Sequence, residues 1–553
     1  MKINIYNFFE KYWLFLPALS TVLLVVSFYP FDFWFLGFIA LVPLFYFINF
    51  SNKIPFYKIF GAGFLVGAVF SAILSFFTLI QFHWLPETYL FTWMVRLSFI
   101  PVMIIGGVFA GAAVVLYRKF RLGLLIDIFI GAAIWVSIEW LIYTIFFGFH
   151  FGLLAYVLHK TPLITLASVG GVFFISFLVV LINIFITSIL LWSRYNILYP
   201  EIYERGRAKH PSDNPLIIFF FSTKRIIFIF LTAFLITGII YEINKFYLYG
   251  EEKNTDSASF AIIQIQDREG VGAFGEFQNN EFSFEKLEKL IKSVNNFKPD
   301  FIIYPFSPFN GLLSEKKEAM FFDREAIVGN FENFGKWTEK NVHFDSVFIT
   351  WNNVFRKGQS YNEYNFWQSG KQIAYYQKRA LFPFMDYTPD FAKRIGLYST
   401  PFDASAGLID QKISFGNLKI SNLLCSEVDK STLAKKDSKW ANILLAIGSE
   451  AIFTDSIASN FHIIISQFRA AENNRPLIRA NRLGPSAIID NKGKILAKLD
   501  YGKEGVLFKK IEYKINPKHT VYSYIGDWGF MGMIWLFLII VLILKYSKNL
   551  RKH

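Results

Sequence analysis

Long apolar runs dominate the first half of the chain. Crossing a bilayer as a helix takes about 20 mostly apolar residues, and runs near or above that length occupy 14–28, 33–48, 59–80, 93–116, 124–147, 163–192 and 217–240. From about residue 256 to 514 the pattern changes: charges and turn residues recur, and apolar runs shorten to strand length. Residues 260–266, 300–305, 346–351, 373–376, 420–424, 443–447 and 485–489 read as strands, while 284–294 and 460–474 have helical spacing. A last apolar run, 530–544, precedes Lys545, Lys548, Arg551 and Lys552. The pattern predicts an α-helical membrane bundle of about eight spans, with an α/β layered domain between the seventh and eighth. The boundaries it sets are 1–250 for a seven-span membrane domain, 256–515 for the polar domain and 526–546 for the last helix. The first run leads into further spans with no Ala-x-Ala cleavage site, so it reads as a retained span and not a signal peptide.

Composition agrees: 54% of the 553 residues are hydrophobic and 19% aromatic, including 66 Phe, well outside the range of soluble domains. The net charge of +14 would fit a nucleic-acid partner if it were one patch, but it alternates along the chain. Lys2, Lys11, Lys53, Lys58, Arg118, Lys119, Arg121, Arg194, Arg205, Arg207, Lys209, Lys224 and Arg225 flank the spans on one side, whereas loops 29–32, 83–92 and 150–161 carry only Lys160. Basic residues mark cytoplasmic loops, so both termini are expected in the cytoplasm and the polar domain outside it, with no nucleic-acid partner. A single cysteine excludes an intramolecular disulfide and a Cys-rich metal site, and the eight His show no HExxH spacing, so no metal or cofactor is implied.

Two residues stand out chemically. Cys425, the sole cysteine, ends the strand-like run 419–424; a thiol at a strand mouth suits a nucleophile, and equally a small buried hydrophobe. Glu139 lies inside an apolar span, where a carboxylate is expensive and marks either function or a structural pairing with a hydroxyl or Trp N–H.

Three segments carry a resemblance: Tyr375-Tyr-Gln-Lys378-Arg-Ala-Leu-Phe-Pro-Phe-Met-Asp386-Tyr-Thr-Pro389, Leu424-Cys425-Ser-Glu427, and Arg469-Ala-Ala-Glu472-Asn-Asn-Arg475-Pro-Leu-Ile-Arg479-Ala-Asn481. In this order they resemble the nitrilase-like carbon–nitrogen hydrolase superfamily, and the membrane frame narrows this to the apolipoprotein N-acyltransferase family. Ser27-Phe-Tyr-Pro-Phe-Asp32, Glu139-Trp140, Ser360-Tyr-Asn362 and Thr520-Val-Tyr522 with Gly526-Asp527 extend the resemblance over most of the chain, with Ile142 for an Arg and Glu363 for a Ser. It implies an extracytoplasmic nitrilase-like αββα sandwich on the outer face of the bacterial inner membrane. The implied reaction passes a fatty acyl chain from a phospholipid donor to Cys425 as a thioester, then to the α-amino group of a diacylglyceryl lipoprotein acceptor, without metal or cofactor. Lys378 resembles the catalytic lysine. Glu427 would sit beside the nucleophile, orienting Lys378, shaping the oxyanion site, or paired with an arginine at 469, 475 or 479. Asp386 takes the place of a loop glutamate, with Met385 where a glycine is expected. Arg469, Glu472 and Arg475 read as scaffold on one helix, bridging at i,i+3.

One departure bears on mechanism. The family's general-base glutamate follows a Trp-Pro pair; here the stretch is Tyr304-Pro305-Phe306-Ser307, and a phenyl ring takes no proton. Gly448-Ser449-Glu450 likewise replaces an Asn-Asp element. Either another carboxylate (Asp386, Glu427 or Glu450) serves the thiol, or the chain is a non-catalytic lipid- or lipoprotein-binding relative. A membrane-tethered amidase is a third reading, with no use for eight spans.

Overall fold

The computed structural model describes residues 12–50, 54–79, 90–122, 124–148, 150–198, 238–239, 242, 246–249, 254–265, 280–305, 312–314, 331–396, 403–408, 410–450 and 457–550. Among these, five helices are long and apolar enough to cross a membrane: Phe56–Phe76, Val95–Phe120, Ile126–Ile145, Pro162–Leu191 and Val521–Ser547. The first two expected spans form the shorter apolar helices Phe15–Ser27 and Trp34–Asn49. The run 217–240 lies almost wholly outside the described residues.

Small residues set the helix packing. A Cβ on Gly67 would lie 2.3 Å from the carbonyl oxygen of Gly106, and one on Gly106 would overlap Ser71. Glycine at these positions lets the helices Phe56–Leu79 and Phe99–Phe120 approach backbone to backbone, the close contact that small residues allow between apolar helices.

The polar region is two sheets face to face. β1 (Thr255–Gln264), β2 (Phe301–Tyr304), β3 (Leu312–Ser314), β4 (Val347–Arg356), β5 (Gln359–Gln368), β6 (Lys371–Gln377) and, from the chain's end, β13 (Gly505–Lys514) form one, in the order β13-β1-β2-β4-β5-β6 with β3 beside β4. β7 (Ile413–Phe415), β8 (Leu418–Leu424), β9 (Ile443–Ser449), β10 (Leu477–Arg482), β11 (Ser486–Ile489) and β12 (Ile495–Leu499) form the other, in the order β12-β11-β10-β9-β8-β7. Because strand side chains alternate faces, Phe260 and Ile262 point into the core between the sheets with Ile420, Leu424, Ile443 and Leu445. Ala261 and Ile263 meet Leu287, Ile291 and Phe334 of two covering helices. On the second sheet Leu423, Leu444 and Ala446 meet Ala434, Ile463 and Ala470. The layers are helix, sheet, sheet, helix, as the αββα expectation requires.

The helix Ile457–Asn473 joins the two halves of the protein. Ile463 and Ala470 face the second sheet, while Phe461, Ile464, Ile465 and Phe468 enter the core of the membrane bundle. With apolar neighbours on both sides it is buried almost throughout, and it lies between the second sheet and the membrane helices.

Candidate active site

Parallel strands β8 and β9 run side by side, with Leu424 opposite Ile447, and the chain turns sharply at the end of β8. Cys425 takes φ +54° and opens a short 3-10 helix, Cys425–Asp429. A left-handed conformation at a non-glycine residue costs about 1–3 kcal/mol and persists where the surroundings enforce it. Here β9 does so: a Cβ on Gly448 would lie 3.3 Å from Cys425 Cα, so glycine lets the neighbouring strand end press against the elbow. Cys425 remains partly exposed.

Lys378 follows β6 and is buried, 2% exposed. Its backbone N–H donates to Asn362 O at 2.9 Å, and Nζ donates to Asp386 Oδ2 at 2.6 Å. Asp386 also accepts from Phe382 N at 2.6 Å and from Asn362 Nδ2 at 2.7 Å. Burial alone would disfavour the ammonium, but Asp386 and then the Cys425 thiol outweigh it and hold the Lys378 pKa above its ordinary value. The thiol is pushed up by burial, pulled back by Lys378, and raised again by Asp386, Glu450 and Asp429. A fixed cation thus faces a thiol whose pKa stays above its ordinary value, and Lys378 offsets part of what burial and the nearby carboxylates cost the thiolate.

Glu427 fastens the two halves of this site together. Its Oε1 accepts the backbone N–H of Arg379 (2.7 Å) and Ala380 (2.9 Å), and Oε2 accepts Leu424 N (2.8 Å) and Tyr376 Oη (2.7 Å). The sequence-based alternatives gave Glu427 the task of orienting Lys378, shaping the oxyanion site, or pairing with an arginine at 469, 475 or 479. Its bonds go instead to the backbone of the lysine loop and the end of β8, while Asp386 orients Nζ.

The chain also matches known protein families. The family model described as "Apolipoprotein N-acyltransferase N-terminal domain" matches residues 20–185, and "Carbon-nitrogen hydrolase" matches 319–514. Apolipoprotein N-acyltransferase 1 of Treponema denticola is 25% identical over 468 residues, 75% of this chain and 77% of that one. The apolipoprotein N-acyltransferases of Geobacter metallireducens (26%) and Borreliella burgdorferi (24%) each align over 93% of this chain and 91% of their own length. This chain belongs to the apolipoprotein N-acyltransferase family. It is a multi-pass membrane enzyme of the acyltransferase class. A carbon–nitrogen hydrolase of Helicobacter pylori superposes with a TM-score of 0.34 at 18% identity, over 51% of this chain and 94% of that one; so slight a likeness adds no weight.

The other residues singled out by sequence fall in distinct places. Glu450 is not free to serve the thiol: its Oε1 accepts Arg479 Nη2 at 2.6 Å, and both oxygens lie 2.9 Å from His462 Nδ1. Arg469 and Glu472 are ion-paired at 2.9 Å and fully buried. Arg475, expected on the same helix, lies beyond its end at Asn473 and donates to the carbonyls of Ala441 and Ser438. Glu139 Oε1 accepts Trp135 Nε1 and the N–H of Leu154, both at 3.2 Å. It thereby pins loop 150–158 and lines a cavity of about 60 Å³ with Phe70, Ser71 and His150. Phe306 lies outside the described residues. Sequence reasoning quoted Asn362 in its Tyr-Asn strand but gave it no part in the site, and it passed over Asp429 and His462, for which the only signals were a carboxylate four residues past Cys425 and a histidine on an apolar helix.

Proposed function

We propose that this family member transfers a fatty acyl chain from a phospholipid to the N-terminal amine of a diacylglyceryl lipoprotein through a thioester on Cys425. The observation that carries the reading is the buried Lys378–Asp386 ion pair on a loop that Glu427 bonds to the Cys425 elbow. Cys425 attacks the phospholipid ester carbonyl; the Lys378 ammonium stabilises both thiolate and developing oxyanion, and Asp386 holds that ammonium in place. The lysophospholipid oxygen leaves with the proton that the thiol gave up, and the acceptor amine then attacks the thioester. The spans supply the lipid-facing frame, with the membrane part within 1–250, the catalytic domain at 256–515 and a closing helix at 526–546. The alternation of basic loops supports cytoplasmic termini and a catalytic domain on the outer face of the inner membrane.

The test is reconstitution: purified enzyme, phospholipid and a synthetic diacylglyceryl-cysteine peptide. The reading predicts a peptide carrying one further amide-linked acyl chain, and its loss in Cys425→Ala. Phe306 favours a second reading, a lipid- or lipoprotein-binding relative without turnover; on that reading Cys425→Ala leaves function intact and no acylated peptide forms.

A further inference from the structure

Four carboxylates cluster around the elbow, and three have their donors. Asp386 holds Lys378, Phe382 N and Asn362; Glu427 holds four donors; Glu450 holds Arg479 and His462. Asp429 differs. It closes the helix that Cys425 opens, it is 2% exposed, and neither side-chain oxygen has a hydrogen-bond donor among the described residues. His462 Nε2 stands 3.5 Å from Oδ2, beyond a well-formed hydrogen bond, and Nδ1 is engaged by Glu450. A buried carboxylate faced by the His462 ring at 3.5 Å, with no closer donor on either oxygen among the described residues, is costly and calls for a specific explanation.

Its place in the fold supplies one. The last turns of the membrane helix Ile126–Ile145 and the residues after it end on Asp429: Tyr143 Oη donates to Asp429 O at 2.6 Å, and Gly148 packs against that same carbonyl. Phe147, half exposed, reaches from there to Phe382 of the lysine loop, with ring centroids 6.1 Å apart. Asp429 therefore sits where the membrane bundle meets the nucleophile's own helix. A lipid-anchored acceptor presents its amine on that side, because its acyl chains stay in the bilayer.

We infer that Asp429 receives the acceptor's α-ammonium group and takes its proton, with His462, 3.5 Å from Oδ2, as the positioning residue that orients the carboxylate. The inference rests on the thioester reading and assigns its second half. The ammonium gives one proton to Asp429, and the neutral amine's lone pair forms the C–N bond as the C–S bond breaks. Sulfur leaves as thiolate beside Lys378. The second amine proton returns to sulfur, and Asp429 releases its own to water. One ammonium and one thioester become one amide, one thiol and one proton. A carboxylate is the recognition group for a primary ammonium, and general-base help of this kind contributes about 10²–10⁴-fold.

The experiment separates the half-reactions in the full-length enzyme. Cys425 is first charged from a labelled phospholipid in vesicles, and the thioester is then chased with either a diacylglyceryl-cysteine peptide or hydroxylamine, which is already neutral. In Asp429→Asn, charging should be no slower than in wild type and hydroxylamine release should match it, while transfer to the peptide slows on the order of 10²-fold and rises more steeply with pH, because only acceptor already neutral in solution can attack; Asp429→Glu should recover part of the rate. Peptide transfer at the wild-type rate would overturn the assignment. Equal slowing of charging, peptide transfer and hydroxylamine release would also overturn it, showing a structural role. Failure of the wild type to form any thioester would instead remove the underlying reading.

Discussion

Glu427→Gln tests how the site is held together. The carboxylate accepts four donors, two on each oxygen, three of them backbone N–H groups that have no freedom to turn away. Glutamine keeps one acceptor oxygen, which can still serve Arg379 N and Ala380 N. Its NH2 group then faces Leu424 N and Tyr376 Oη. The tyrosine hydroxyl can rotate and accept, but Leu424 N–H is left donor to donor. Losing charge-assisted bonds of about 1.5–3 kcal/mol each and stranding one buried N–H at about 1–3 kcal/mol leads to a net loss of roughly 3 kcal/mol. Since Leu424 directly precedes Cys425, relief of that clash moves the elbow relative to Lys378, and a misplacement of about 1 Å costs around 10²-fold in rate. Thermal unfolding in detergent micelles and the rate of Cys425 alkylation would report the two effects. Wild-type stability together with wild-type acyl transfer would refute the claim that Glu427 joins the lysine loop to the elbow.

Three further outcomes are expected. Lys378→Met removes the cation and leaves Asp386 buried without its ion-pair partner, so stability should fall by about 3–5 kcal/mol; alkylation of Cys425 near neutral pH should slow as the thiol titrates higher, checked by its pH–rate profile. His462 has its pKa raised to about 9: burial opposes the charge, but Glu450 and Asp429 override it. Because the folded value lies above the ordinary one, its stabilisation, roughly 3 kcal/mol at 1.36 kcal/mol per unit, is complete below about pH 6.5 and lost as pH rises through about 9; unfolding measured against pH should show this loss in wild type and a flatter curve in His462→Gln. Glu139→Leu strands Trp135 Nε1 and Leu154 N and should cost about 1–3 kcal/mol, whereas Glu139→Gln keeps an acceptor for both and should be near neutral in the same unfolding assay.

The fold was legible where burial is uniform. Residues 420–424 and 443–447 are continuous apolar runs because β8 and β9 are covered on both faces, and both stand as strands. β10 was missed because Arg479, Asn481 and Arg482 break the apolar pattern; the structure shows why they are tolerated in the case of Arg479, which meets Glu450. The first two apolar runs, separated by Pro30 and Asp32, stand as helices shorter than a bilayer crossing needs, and the second is broken before Pro43. At the site, Cys425, Lys378, Asp386 and Glu427 were all named from motif, but the division of labour was not: which carboxylate touches Nζ depends on loop geometry that no spacing encodes. The pairing of Asp429 with His462 was invisible for the same reason, since a strand, a helix and a loop separate them in the chain.

The proposed mechanism stands or falls on a covalent acyl-enzyme at Cys425. The most direct measurement is intact-protein mass spectrometry after incubation with phospholipid vesicles, wild type beside Cys425→Ala. Wild type should gain a fatty-acyl mass increment that hydroxylamine removes and that Cys425→Ala lacks. No increment on folded wild-type protein, or an increment that survives in Cys425→Ala, would contradict it.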